Sequence, residues 1–199
     1  MIDAVDHSDA RPTSETTEGG AEAIGDDALP EFRQWQERVK GTNISKETLL
    51  ATDYLNHFNE ITMLIDMVPD MPEFLEECRK WQPKSYTEHF RTSDFVEREL
   101  AIEAYDHAPS IYKSRLTETI SYMNNVVEWG LEHLSDAIDQ HEPDLLRIHA
   151  HSTGKTLRRL NEVASGIIHG TCRVSGVLTA ITQSDIDFKW RNSFIRAAE

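Results

Sequence analysis

The chain has 199 residues and a formal net charge of −15, from 35 acidic and 20 basic side chains. A mean hydropathy of −0.52 and apolar runs of only a few residues exclude a membrane-spanning helix, which needs about 20 mostly apolar residues. The charge argues against a nucleic-acid surface and against anionic membranes, both of which require clustered Lys and Arg. It suits a protein whose partner carries a basic patch.

Residues 1–29 carry eight acids and one base, Arg11, with Ser, Thr and Gly in clusters and no aromatic side chain. Such a segment buries too little apolar surface to offset its ordering entropy, so a disordered acidic tail is expected. Its start, Met1-Ile2-Asp3-Ala4-Val5-Asp6, has no basic or apolar stretch of the secretory kind. Cys78 and Cys172 give no disulfide framework. A cytoplasmic protein with reduced thiols is the expectation.

A helical domain is expected over 30–170. Pro30 suits a first helical turn, and Phe32, Trp35 and Val39 follow at helical spacing up to Gly41. Asn43 or Ser45 offers the next N-cap. From there Leu50, Tyr54, Phe58, Ile61, Ile65 and Val68 recur every three or four residues, which predicts one continuous helix over 45–68 ended by Pro69. A short helix from Pro72 to Trp81 follows, and Pro83 breaks it. Residues 84–92 read as a loop or a single turn. Ser93 caps a helix to His107 with Val96, Leu100, Ala104 and Ala108 inward.

The strongest pattern is a long antiparallel αα-hairpin, about 109–140 and 143–169. Tyr112, Leu116, Ile120, Met123, Val127, Leu131, Leu134 and Ile138 form its first stripe. After a turn at His141-Glu142-Pro143, the near-heptad seam Leu146, Ala150, Thr153, Leu157, Leu160, Ala164 and Ile167 returns. Gly154 within it marks a close helix crossing, and Gly170 suits a helix end. Residues 171–199 read as a linker followed by an amphipathic C-terminal helix with Ile186, Trp190 and Phe194 on one face. The fold class is therefore all-α, a helical bundle built on the hairpin.

Three groups of residues invite chemistry. Asp53, His57 and Glu60 stand at i, i+4 and i+7, one face of the predicted 45–68 helix, where a carboxylate could orient an imidazole or the three could hold a metal ion. Glu103 and His107 repeat the i, i+4 spacing. His149 and His151 are two apart on a helix and so do not face each other; His149 flanks the seam and His151 points away. Gly154-Lys155-Thr156 lacks the upstream glycine and the strand of a phosphate loop, because the required position holds His149.

The tail Thr182-Gln183-Ser184-Asp185-Ile186-Asp187, tethered by a linker to a long hairpin, resembles the terminal peptides with which flagellar switch and CheZ-type proteins hold a response regulator. CheZ-type phosphatases are similar in architecture and place an acid and a catalytic Gln one turn apart, as Asp136 and Gln140 stand here. The acidic Thr-Gly-Gln string of that family is absent. The resemblance implies a phosphorelay regulator that binds its partner through Asp185, Ile186, Trp190 and Phe194.

Three functions follow as expectations. The favoured one is a non-enzymatic interaction or regulatory protein, with a protein partner or self-association, a homodimer included. The second is a metal-binding helical protein or enzyme using Asp53, His57 and Glu60; no other cofactor is expected. The third is the phosphorelay regulator.

Overall fold

A computed structural model describes residues 29–171. The expectations for the acidic tail, and for Cys172, Asp185, Ile186, Trp190 and Phe194, lie outside these residues. The described chain is all-α: α1 (Leu29–Arg38), a 3-10 turn (Thr52–Leu55), α2 (Asn56–Met67), α3 (Phe74–Lys80), α4 (Tyr86–Thr92), α5 (Arg98–His107), α6 (Ser110–Asp139) and α7 (Pro143–Ile168).

Helices α6 and α7 form the expected hairpin. At 1.5 Å per residue the 30 residues of α6 span about 45 Å. The whole α7 seam named above is buried, as are Tyr112, Leu116, Ile120, Met123, Val127 and Leu134 of α6. The connection is a Schellman turn: the Glu142 amide donates to Ala137 O (2.9 Å) and the His141 amide to Ile138 O (3.1 Å). His141 takes the left-handed conformation that this turn needs (φ +61°). The end of α7 repeats the motif with Gly170 at φ +68°. Between the two helices, a Cβ on Gly130 would stand 2.5 Å from Thr153 Cγ2, so α6 and α7 touch where a side chain is missing.

Helix α2 lies along the hairpin antiparallel to α7. Asn59 meets Asn161, and farther along Asp66 pairs with Arg158 (2.6 Å) and Asp70 with Arg147 (3.7 Å). Gly154 admits this approach, since a Cβ there would sit 2.5 Å from Asp66 Oδ1. Helix α3 reaches α6 through Arg79, whose guanidinium donates to Ser135 Oγ (2.7 Å). Helix α5 packs against α4 and against α1, and α4 meets the 3-10 turn.

The structure corrects the sequence reading in three places. The 45–68 stripe is not one helix. Residues 44–51 form a closed loop with an antiparallel bridge between Ile44 and Ala51, and helix begins only after the 3-10 turn. Leu50, Tyr54, Phe58, Ile61, Ile65 and Val68 are all buried nonetheless. Leu49, fully buried, takes φ +61°, which no helix accommodates. The Thr48 hydroxyl donates to Ile168 O and so anchors the loop to the end of α7. The second correction is α4, a helix of 7 residues where the pattern predicts a loop or a single turn. Ser85 caps it with a complete capping box: Ser85 Oγ accepts from the Glu88 amide and the Glu88 carboxylate accepts from the Ser85 amide (2.8 Å). The third is α5, which starts at Arg98 rather than at Ser93. Val96 is 91% exposed there, and Ala101 joins Ala104 and Ala108 in the core.

Candidate functional site

The 3-10 turn, the first turn of α2, the Trp81–Lys84 link and α4 meet at one corner. Asp53 sits in the 3-10 turn, partly exposed. Its Oδ1 accepts from Asn56 Nδ2 (2.9 Å) and its Oδ2 faces His89 Nε2 at 3.2 Å. His89, on α4, is buried. Capping by Ser85 sets α4 in place, and α4 carries the imidazole to the carboxylate.

His57 serves a different role. Its Nε2–H donates to Gln82 O (2.8 Å), which fixes the tautomer because a carbonyl only accepts. Its ring lies on the Trp81 indole, with centroids 4.6 Å apart and planes 19° from parallel. Trp81 Nε1 in turn donates to His57 O (3.1 Å). Burial, above all, pushes the imidazole from 6.5 down to about 4; the bond to Gln82 opposes this, and Lys84 and His89 add to it. Around this pair, the Tyr54 hydroxyl donates to Lys84 O (2.7 Å) and Tyr86 Oη accepts from the Ala51 amide (2.8 Å). Burial raises both phenols, so they stay protonated.

Asp53, His57 and Glu60 are thus not brought together as one face. Asp53 engages His89, His57 engages Gln82, and Glu60 is exposed. Among the described residues no three His, Cys, Asp or Glu side chains converge as a metal-binding group. Glu103 and His107 also part company: Glu103 pairs with Arg38 and His107 Nδ1 with Glu31 Oε1 (2.8 Å), both on α1. His149 flanks the hairpin seam as its spacing implies. Its ring stands 5.1 Å from that of His133 on α6, while His151 is exposed. Burial and then His133 lower the His149 pKa, against the pull of Asp136. Asp136 and Gln140 are both exposed near the hairpin turn.

Asp53 opens onto a cleft of about 430 Å³. Asn43, Ser45, Thr52, Asn56 and His169 supply its polar lining, with Ile44 and Phe95 as apolar walls. A larger groove of about 650 Å³ runs along α6 past Ser114, Glu118 and Asn125. The corner cleft joins a partly buried carboxylate, a buried imidazole behind it and a ring of polar side chains. His89 was missed by the sequence reading. The Ser85-x-x-Glu88 capping signature was the available signal for the helix that positions it.

No protein-family model matches the chain, and no curated protein or solved structure shows significant similarity to it.

Proposed function

We propose that this protein is a non-enzymatic regulatory protein whose recognition site is the corner cleft at Asp53. The observation that carries the reading is the way Asp53 is held: both oxygens are oriented by side chains of the fold, Asn56 and His89, at the mouth of a polar cleft. That is a preorganised binding group, of the kind that fixes ligand orientation in clefts of this size.

Two groups that could do covalent or acid–base chemistry are committed elsewhere. His57 is clamped between Trp81 and Gln82. The Cys78 thiol is buried, and burial raises it to about 11, far from the thiolate that a nucleophile requires. A small-molecule thermal-shift panel of cationic, anionic and neutral polyhydroxylated compounds tests the reading. A ligand that binds the native state raises the melting temperature by mass action, and the rise should vanish in Asn43→Ala. A panel with no stabilising compound, or one whose effect survives Asn43→Ala, contradicts the proposal.

A second reading is the phosphorelay regulator. It is favoured by the exposed Asp136 and Gln140, one turn apart on a hairpin of the expected length. Removal of residues 183–199 should then abolish binding to a response regulator, and unchanged binding would refute it.

A further inference from the structure

The geometry points to a small organic ammonium as the ligand of the corner cleft. This inference rests on the reading of the cleft as a recognition site and names the chemistry that it takes.

Among the described residues, Asp53 is the one carboxylate in the cleft lining. A carboxylate has about four acceptor positions, of which Asn56 and His89 occupy two. The remaining lone pairs belong to an oxygen pair already held in place, so a donor arriving from the cleft meets little ordering cost. An anion would be repelled by the same group.

The rest of the lining decides between kinds of cation. Ca²⁺ takes six to eight oxygen ligands, carboxylates and carbonyls among them, and Mg²⁺ binds through one or two carboxylates together with waters and substrate phosphates. Here one carboxylate is joined by the neutral hydroxyls and amides of Ser45, Thr52 and Asn43. Phe95 and Ile44 supply apolar walls, which a metal ion does not use. A primary ammonium on a short carbon chain uses all three kinds of group: three N–H donors for Asp53 and the neighbouring oxygens, and a carbon body against Ile44. The Phe95 ring adds cation–π attraction when it lies near the charge. The volume of about 430 Å³ suits a small molecule. The net charge of −15 raises the local concentration of any cation.

The test is isothermal titration of the full chain with ethylammonium chloride, with ethanol and sodium acetate as the neutral and anionic counterparts of similar size. Saturable binding of ethylammonium, with neither of the others bound, is the expected result. Asp53→Asn should weaken it about tenfold or more, the scale of a lost charge-assisted hydrogen bond. Phe95→Leu, which keeps an apolar wall and leaves the Asp53–His89 contact in place, should weaken it about twofold to fivefold. Far-UV circular dichroism confirms that each variant is folded, and Phe95→Leu carries the test if Asp53→Asn is not. Ethanol or acetate binding as well as ethylammonium would overturn the ammonium assignment and leave the cleft as a recognition site. No binding of ethylammonium would overturn it too, and the thermal-shift panel then decides separately whether the cleft takes another class of ligand.

Discussion

The Trp81 indole covers the His57 imidazole face to face, 4.6 Å between centroids, and the two residues also exchange a hydrogen bond through Trp81 Nε1 and His57 O. His57 thereby becomes a packing element at the start of α2, joined to the α3–α4 link, and its proton affinity reports on the fold.

The sign of that report follows from its pKa. The unfolded value is 6.5 and the folded value about 4, so the fold favours neutral imidazole. The stabilisation is fully present above about pH 6.5 and is lost as pH falls from there through about pH 4, with a total on the order of 3 kcal/mol. His149, also lowered, contributes in the same direction. Urea unfolding at about pH 7 and about pH 4.5 checks this. His57→Gln, which cannot take up a proton, should lose stability at neutral pH but show a smaller drop on acidification than the parent. An equal drop in both proteins would contradict it.

Two of the helical glycines of the hairpin, Gly130 and Gly154, should respond in opposite ways. Gly130→Ala forces a methyl to 2.5 Å from Thr153 Cγ2, a short side chain in the closest part of the α6–α7 contact. We expect a loss of about 1–3 kcal/mol, partly offset by the gain of about 1 kcal/mol in helix propensity. Adding Thr153→Ala should recover most of it. Gly154→Ala meets the far ends of Asp66 and Arg158, which can swing aside. It should be neutral or stabilising by up to about 1 kcal/mol. Thermal and urea midpoints of the three variants and the parent give the ranking.

Tyr86→Phe should cost about 1–3 kcal/mol, because the buried Ala51 amide loses its acceptor. The loss should be local as well as global. Hydrogen exchange at the Ala51 amide should accelerate more than at amides in the middle of α6, and uniform acceleration would show that the tyrosine does not hold the 44–51 loop specifically.

His141→Gly should stabilise the protein by about 0.5–1 kcal/mol, since glycine takes the left-handed turn position without the Cβ strain that histidine bears at φ +61°. The bond between His141 Nδ1 and Asp139 O (3.0 Å) is lost in the exchange, and this keeps the gain modest. A lower melting temperature would mean that this bond outweighs the strain.

The hairpin was legible in the sequence because burial and helical period coincide along α6 and α7. The seam from Leu146 to Ile167 is buried along its whole length within one continuous helix, so spacing alone locates it. The corner was not legible, and the reason lies in the same stripe. Leu50, Tyr54 and Phe58 recur every four residues and are buried, yet they sit in a loop, a 3-10 turn and a helix in succession. The contacts that impose this are tertiary: Thr48 to Ile168, Ala51 to Tyr86, and the buried, left-handed Leu49. A 3-10 turn advances about 120° per residue rather than 100°, which breaks the i, i+4 alignment of Asp53 with His57 and turns the carboxylate toward α4. The partner that it meets, His89, is 36 residues away in sequence, and no local pattern reaches that far.

The most direct measurement is a long-range ¹H–¹⁵N spectrum of the histidine rings during titration with ethylammonium chloride. His89 touches Asp53, and His169 lines the cleft, whereas His133 lies on the hairpin beside His149. The rings of His89 and His169 should shift together and saturate, with that of His133 unmoved. A saturable shift of equal size at His133, or no shift at His89 and His169, would contradict an ammonium-binding cleft at Asp53.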